Sequence, residues 1–171
     1  AIKYTVGKFA YGYFGLGDLF VFIFFGLISV LGSNFLFDSV LEFKLLSPSI
    51  VLGLLSVGVL NLNNMRDIQN DAECGKKTLA VVLGTQKAKL YQLFITSFAL
   101  LLICHFQYEL NISSNFLNFF LIINSLGLVF HIVKIHKVSS PKEYDKYLKV
   151  FALHAFLFSV LISLYFFKIV L

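Results

Sequence analysis

Leu19-Phe-Val-Phe-Ile-Phe-Phe-Gly-Leu-Ile-Ser-Val-Leu-Gly-Ser-Asn-Phe-Leu-Phe37 runs for 19 residues without an Asp, Glu, Lys or Arg. As a helix rising ~1.5 Å per residue it reaches ~30 Å, the thickness of a bilayer's hydrocarbon core. Hydrocarbon offers no partner to backbone N–H and C=O groups, so such a segment must satisfy them internally, as a helix. A barrel strand would alternate apolar and polar residues, and this run does not. It reads as a membrane-spanning helix.

Four more stretches share that character: Ser49–Met65, Leu90–Tyr108, Phe116–Val133 and Val150–Phe167. Together they predict an all-α fold. The expected architecture is a polytopic transmembrane helix bundle of about five helices, one membrane domain over 1–171, with the lipid bilayer as its solvent. Composition agrees: apolar residues make up 58% of the 171 and charged residues only 13%, about half the charged share of a soluble domain. In water a fold of this length would leave large apolar patches exposed. The net charge of +5 does not point to nucleic acid, because the basic residues sit between apolar runs and not among exposed aromatic platforms. Cys74 and Cys104 form neither a Cys-x-x-Cys ligand pair nor a disulfide framework.

Loop charge sets the expected orientation. With a cytoplasmic N-terminus, the inside regions hold Lys3, Lys8, Arg66, Lys76, Lys77, Lys87, Lys89, Lys134, Lys137, Lys142, Lys146 and Lys149, and the outside regions hold only Lys44 and Lys168. That twelve-to-two division follows the positive-inside rule. It brings the Arg66–Lys89 and Lys134–Lys149 connections together on the cytoplasmic side. The outside connections, Asp38–Pro48 and Glu109–Asn115, are short, so successive helices should be antiparallel neighbours. Gly53 and Gly58, with Ser56 between them, read either as a face in close contact with another helix or as ordinary membrane glycines.

One segment is chemically unlike the rest: Asn61-Leu-Asn-Asn-Met-Arg-Asp-Ile-Gln-Asn-Asp-Ala-Glu-Cys-Gly-Lys-Lys-Thr78. It extends the second apolar helix to the membrane interface. On a regular helix Asn64, Asp67 and Asp71 fall within about 60° of one another, and Arg66 falls away from that face. Gly75 is a helix stop, with Lys76 and Lys77 directly behind it. Two carboxylates ~6 Å apart repel by roughly 2–3 kcal/mol at an effective dielectric of 20, unless a cation lies between them. Oxygen-only donors suit Mg²⁺ or Ca²⁺ better than zinc, and Mg²⁺ is usually held by one or two carboxylates plus substrate phosphates. Lysines alongside would hold those phosphates as point charges. The competing reading is a solvated loop whose acids and bases satisfy one another. Polar residues entering a membrane helix favour a site.

Asn63-Asn64-Met-Arg66-Asp67-Ile-Gln-Asn-Asp71, followed by Gly75-Lys76-Lys77-Thr78-Leu79-Ala80-Val81 and Leu83-Gly84, resembles the second aspartate-rich motif of the UbiA superfamily of intramembrane prenyltransferases. The Asn-Asn-x-Arg-Asp form looks like the branch acting on 1,4-dihydroxy-2-naphthoate in menaquinone synthesis. A second block is similar to that branch in order and spacing: Tyr4-Thr5-x-Gly7, Gly12-Tyr13-x-Gly15-Leu16-Gly17-Asp18-Leu19 and Phe24-Phe25-Gly26. The family's Tyr-Thr-Gly-Gly-Pro appears here as Tyr4-Thr5-Val6-Gly7-Lys8, which weakens any role for that turn. The resemblance implies about nine helices in the whole enzyme, the last five of them here, and a separate N-terminal half carrying the first aspartate-rich motif.

It also implies the chemistry. Mg²⁺, held by Asp67 and Asp71, would neutralise the departing diphosphate of a polyprenyl diphosphate, and the ring of an aromatic acceptor, dihydroxynaphthoate, would attack the allylic cation. Asn64 would ligate or orient the site, and Lys76, Lys77 and Arg66 would contact diphosphate. Asp18 and Tyr4 would stand on the acceptor side, although Asp18 also reads as a helix N-cap. Phe20, Phe22, Phe24, Phe25 and Phe94 are candidates to line a dry channel for the isoprenoid tail, and equally candidates to face lipid or pack. His105, His131, His136 and His154 are expected to be packing or interface residues. The location implied is a bacterial inner (plasma) membrane with the site facing the cytoplasm. Two alternatives stay open: a related enzyme with another aromatic acceptor, or an inactive membrane scaffold. A transporter is disfavoured, since no span carries a charge near its midpoint.

Overall fold

Two helices that carry glycine where they cross can approach until their backbones touch, and that contact organises this bundle. A computed structural model describes residues 15–109 and 115–170, with side chains described over 15–108 and 116–166. Tyr4, Lys3, Lys8 and the segment 110–114 lie outside the described residues. The order is α1 (Gly17–Asp38), α2 (Leu46–Arg66), a short α3 (Ile68–Glu73), α4 (Leu79–Glu109), α5 (Asn115–Ile135) and α6 (Tyr144–Val170). Short 3₁₀ turns lead into α2 and α6, and the middle of α1, Phe22–Gly32, is π-helical. Among the described residues there is no strand.

Among the described residues, five helices are long and apolar enough to cross a membrane: Gly17–Asp38, Phe43–Arg66, Leu79–Tyr108, Phe116–Ile135 and Pro141–Phe166. All five expected spans are present, but two start before the apolar runs do: at Pro141 against Val150, and at Leu79 against Leu90, where a break at Gly84 (φ +74°, ψ 161°) sets a short helical piece before the long one. Hydropathy reports the thickness of lipid, whereas a helix continues into the interface for as long as it packs.

The centre is α2. Half of its most apolar window is buried, against 6% for α1, and it packs on α1, α4 and α6. Val51, Leu55, Leu62 and Met65 form its buried stripe, meeting Ile103 and Phe106 of α4 and Phe151 and Phe158 of α6 in one core. A Cβ placed on Gly26 of α1 would stand 2.7 Å from the Gly53 Cα of α2, so these helices cross backbone to backbone. Gly58 accommodates the Phe151 ring, whose Cε1 would lie 2.5 Å from an added Cβ. The close-contact reading therefore holds for Gly53 and Gly58, although they serve different partners. Between α2 and α4, Asn61 Nδ2 donates to the Ala88 carbonyl at 3.0 Å and to Gln92 Oε1 at 2.9 Å.

On the far side, α5 and α6 meet at Gly127, which leaves room for the His154 ring, itself paired with Asn124 at 2.8 Å. His131 is buried against Tyr147 and Phe151. Both histidines sit at helix-packing positions.

Two ties gather distant segments at one end of the bundle. Arg66 reaches Asp145 at 3.2 Å. Lys89 donates to the carbonyls of Val138 at 2.6 Å and His136 at 3.3 Å, just beyond the end of α5. The Arg66–Lys89 and Lys134–Lys149 stretches thus share an end, as the loop charges require. Lys89, counted in the sequence as a loop charge, is instead buried inside α4. Its ammonium satisfies carbonyls that α5 leaves without helical partners.

Candidate functional site

The polar segment at the end of α2 is not one continuous helix. Helical geometry ends at Arg66, Asp67 has φ −98° and ψ 10°, and α3 starts at Ile68. Turn spacing nevertheless survives, because the Asp71 N–H donates to the Asp67 carbonyl at 2.9 Å. Gly75, at φ +70°, terminates α3: its N–H bonds the Ala72 carbonyl and the Lys76 N–H bonds the Asp71 carbonyl at 2.8 Å. Only a residue tolerant of positive φ fits there. Thr78 then caps α4, its Oγ1 accepting from the Val81 N–H at 3.3 Å.

The two aspartates have different surroundings. Asp67 is half-buried and held by its neighbour: Arg66 donates from Nε at 2.9 Å and from Nη2 at 2.8 Å. The same guanidinium bonds Asn63 Oδ1 at 2.8 Å and Asp145 at 3.2 Å. Hydrogen bonding from Arg66 holds the Asp67 carboxyl below the usual carboxylate range. The regular-helix expectation that Arg66 points away from the aspartate face is corrected here. The break at Asp67 and the length of the arginine side chain bring the guanidinium back onto it.

Asp71 is buried and pairs with Lys76 at 3.1 Å through Oδ1, while its Oδ2 has no hydrogen-bond partner. That orphaned oxygen, with the all-oxygen chemistry of Asp67 and the Asn64 side chain, fits a hard divalent cation such as Mg²⁺. Among the described residues no group of three or more His, Cys, Asp or Glu converges.

Beside this segment lies a cavity of about 230 Å³ whose lining includes Asp18, Asn63, Asn64, Lys76 and Thr78. Gly15 closes it from the N-terminal side, at φ +74°, where an added Cβ would stand 3.2 Å from the Lys77 carbonyl. A second, more open and mostly apolar cavity of about 350 Å³ is lined by Val21, Phe25, Ser56, Val59 and Leu148. Leu60 and Asn63 line both. A polar chamber and an apolar groove therefore share a wall, an arrangement that suits a ligand with a charged head and a greasy tail.

Of the residues marked in the sequence, Asn64, Lys76 and Asp18 line the polar chamber, Asp71 contacts it through Lys76, and Asp67 and Arg66 form the ion pair behind it. Lys77 is exposed and is not among the lining residues. Asp18 is not the helix N-cap: the cap position is Leu16. Phe25 alone of the candidate channel phenylalanines lines the groove; Phe22 packs on Gly53, while Phe24 and Phe94 are exposed. Asn63, Tyr91 and Asp145 had no assigned role in the sequence reading. A signal for Asn63 existed, since it stands one residue from Asn64 on a helix that ends there. Tyr91 and Asp145 meet their partners from far along the chain and gave none.

Sequence comparison bears on this geometry. The profile of the UbiA prenyltransferase family matches residues 1–164. The chain belongs to the UbiA prenyltransferase family. It is 37% identical over 164 residues to the 1,4-dihydroxy-2-naphthoate octaprenyltransferase of Haemophilus influenzae, covering 96% of this chain and 53% of that protein. It is 52% identical over 91 residues to the enzyme of the same name from Escherichia coli, covering 53% of this chain and 30% of that protein. A UbiA prenyltransferase domain-containing protein 1 from Dictyostelium discoideum is 36% identical over 71% of the chain. The chain thus spans about half the length of the Haemophilus protein and less of the others. No solved structure matches it. Family membership and the five apolar helices make it an integral membrane protein.

Proposed function

We propose that this chain forms the second aspartate segment and half of the cavity of an enzyme that transfers a polyprenyl group from polyprenyl diphosphate to 1,4-dihydroxy-2-naphthoate. It would do so in a bacterial inner membrane, with the site on the cytoplasmic face and the N-terminal half supplied by preceding sequence or another chain. The supporting observation is the shared wall at Leu60 and Asn63 between a polar chamber holding Lys76 and an apolar groove holding Phe25.

Each part has a chemical task. Lys76 stands in the chamber and offers its ammonium to the diphosphate. Asp71, buried behind it, keeps that ammonium in place. Asp67, Asp71 and Asn64 are the residues that would hold Mg²⁺, which when bound supplies charge neutralisation at the leaving oxygens. Val21, Phe25, Val59 and Leu148 surround the tail with apolar surface and keep water from an allylic cation. The allylic C–O bond breaks with its electron pair going to diphosphate. The acceptor ring then forms the new C–C bond, and its carboxylate leaves as CO₂.

The test uses the chain together with its N-terminal half in nanodiscs. Asp67→Asn and Asp71→Asn are each expected to remove most prenyl transfer, a hundredfold or more, while membrane insertion and thermal unfolding stay near wild type. Loss of one charged ligand in such a site is of order 3 kcal/mol in the transition state. Wild-type turnover by either variant at saturating Mg²⁺ would leave the solvated-loop reading in force.

A further inference from the structure

Most polar groups lining the 230 Å³ chamber have a partner of their own. Asn63 accepts from Arg66, Lys76 is held by Asp71, and Thr78 caps α4. Asp18 differs. It is 91% buried at the start of α1, its carboxylate stands near Tyr91 of α4, and its Oδ2 has no hydrogen-bond partner. A buried carboxylate oxygen left without a hydrogen bond is costly, and functional sites are among the places where native structures tolerate one.

The surroundings narrow the ligand. An ionised phosphate oxygen is excluded as the partner of Oδ2, since both are acceptors and neither has a proton to donate. Magnesium is better served by the oxygen donors of Asp67, Asp71 and Asn64. What remains is a hydrogen-bond donor without negative charge. Leu60 and Leu79 supply apolar walls to the same chamber, so the donor that fits is a hydroxyl carried on a flat, largely apolar ring.

We infer that the Asp18–Tyr91 pair is a recognition site for a ring hydroxyl of the aromatic acceptor, with Asp18 Oδ2 accepting from that hydroxyl and Tyr91 fixing the carboxylate's orientation. The hydrogen bond holds the ring in the chamber beside Lys76. It also pushes electron density onto the ring, which favours attack on an electrophile. For the identity of the ring this inference rests on the prenyl-transfer reading above.

The test uses the chain with its N-terminal half in nanodiscs. Binding of 1,4-dihydroxy-2-naphthoate and of 2-naphthoate, which lacks both ring hydroxyls, is followed by fluorescence, alongside steady-state kinetics in each substrate. Wild type should prefer the dihydroxy compound. Asp18→Asn should erase most of that preference and raise KM for the acceptor about ten- to a hundredfold, the range set by hydrogen bonds to charged groups. KM for the polyprenyl diphosphate should stay within about twofold. Tyr91→Phe should act in the same direction and less strongly, and Asp18→Glu should restore part of the preference. If Asp18→Asn fails to fold, Tyr91→Phe carries the test, since it removes a single hydroxyl. An unchanged hydroxyl preference in folded variants, or an effect confined to KM for the diphosphate, overturns the inference. A wild type that prefers the dihydroxy compound but transfers no prenyl group overturns the prenyl-transfer reading instead.

Discussion

Gly26 and Gly32 lie on the same stretch of α1, yet their environments differ in a way that isolates one contact. An added Cβ on Gly26 would meet the Gly53 Cα and the Ser49 carbonyl oxygen, each at 2.7 Å. Ordinary contact between non-bonded carbons is about 3.5–4.0 Å, so α1 would have to withdraw from α2 by roughly 1 Å. Neither obstacle is the end of a flexible side chain, so nothing local can yield. On Gly32 the nearest atom is Ile28 Cγ2 at 3.6 Å, an ordinary contact. Replacing either glycine by alanine gains similar intrinsic helix propensity, up to ~1 kcal/mol. The difference between the two variants therefore reports the crossing alone. Overpacking of this kind costs about 1–3 kcal/mol. Gly26→Ala should unfold earlier than Gly32→Ala by that amount in detergent titrations followed by circular dichroism, and Gly32→Ala should match or slightly exceed wild type. Because α1 is little buried apart from its contact with α2, Gly26→Ala should also displace Asp18 from the polar chamber. Equal stability of the two variants would refute the backbone crossing.

Other outcomes follow from the same geometry. Lys89→Met should destabilise the protein by about 1–3 kcal/mol in the same titration, because it strips the Val138 and His136 carbonyls of their donor; a neutral result would show that water replaces the ammonium. With the exposed Cys74 and Cys104 replaced by serine, single cysteines at positions 87 and 140 should react with an impermeant maleimide from the cytoplasmic side, and one at position 42 should not. The reverse pattern would invert the topology. The 171-residue chain by itself should show no prenyl transfer above background and gain it when the N-terminal half is co-expressed, since the relative from Haemophilus is nearly twice as long. Robust product from the lone chain would show that its own residues complete the site.

The five spans were legible because apolar run length is a direct imprint of lipid thickness, and the family was legible because Asn63 to Asp71 keeps a motif. Sequence also put Asn64, Lys76 and Asp18 on the list of site residues, and all three line the chamber. What escaped has two physical origins. An expectation built at 100° per residue assumes an unbroken helix, and the conformation at Asp67 breaks it, so the direction of Arg66 came out wrong. Partners far apart in the chain were equally hidden: Asp18 with Tyr91, Asn61 with Gln92, Lys89 with Val138. Lys89 looked like a loop charge because hydropathy cannot distinguish an ammonium in water from one that satisfies two carbonyls. Gly26 and Gly53 were quoted in separate patterns, and only the crossing shows that they belong together.

The two ties that close the end of the bundle also impose a schedule. Arg66 must wait for a partner 79 residues later in the chain, and Lys89 for one 49 residues later. At about 5–20 residues per second of synthesis, these charges stand without their distant partners for several seconds while the third and fourth spans are being made. During that interval Arg66 has only its neighbours Asn63 and Asp67, and Lys89 lacks the carbonyls it will serve. Once Val138 and then Asp145 emerge, the same charges become permanent fasteners. The clasp at this end of the bundle therefore closes only after the fourth span has been made.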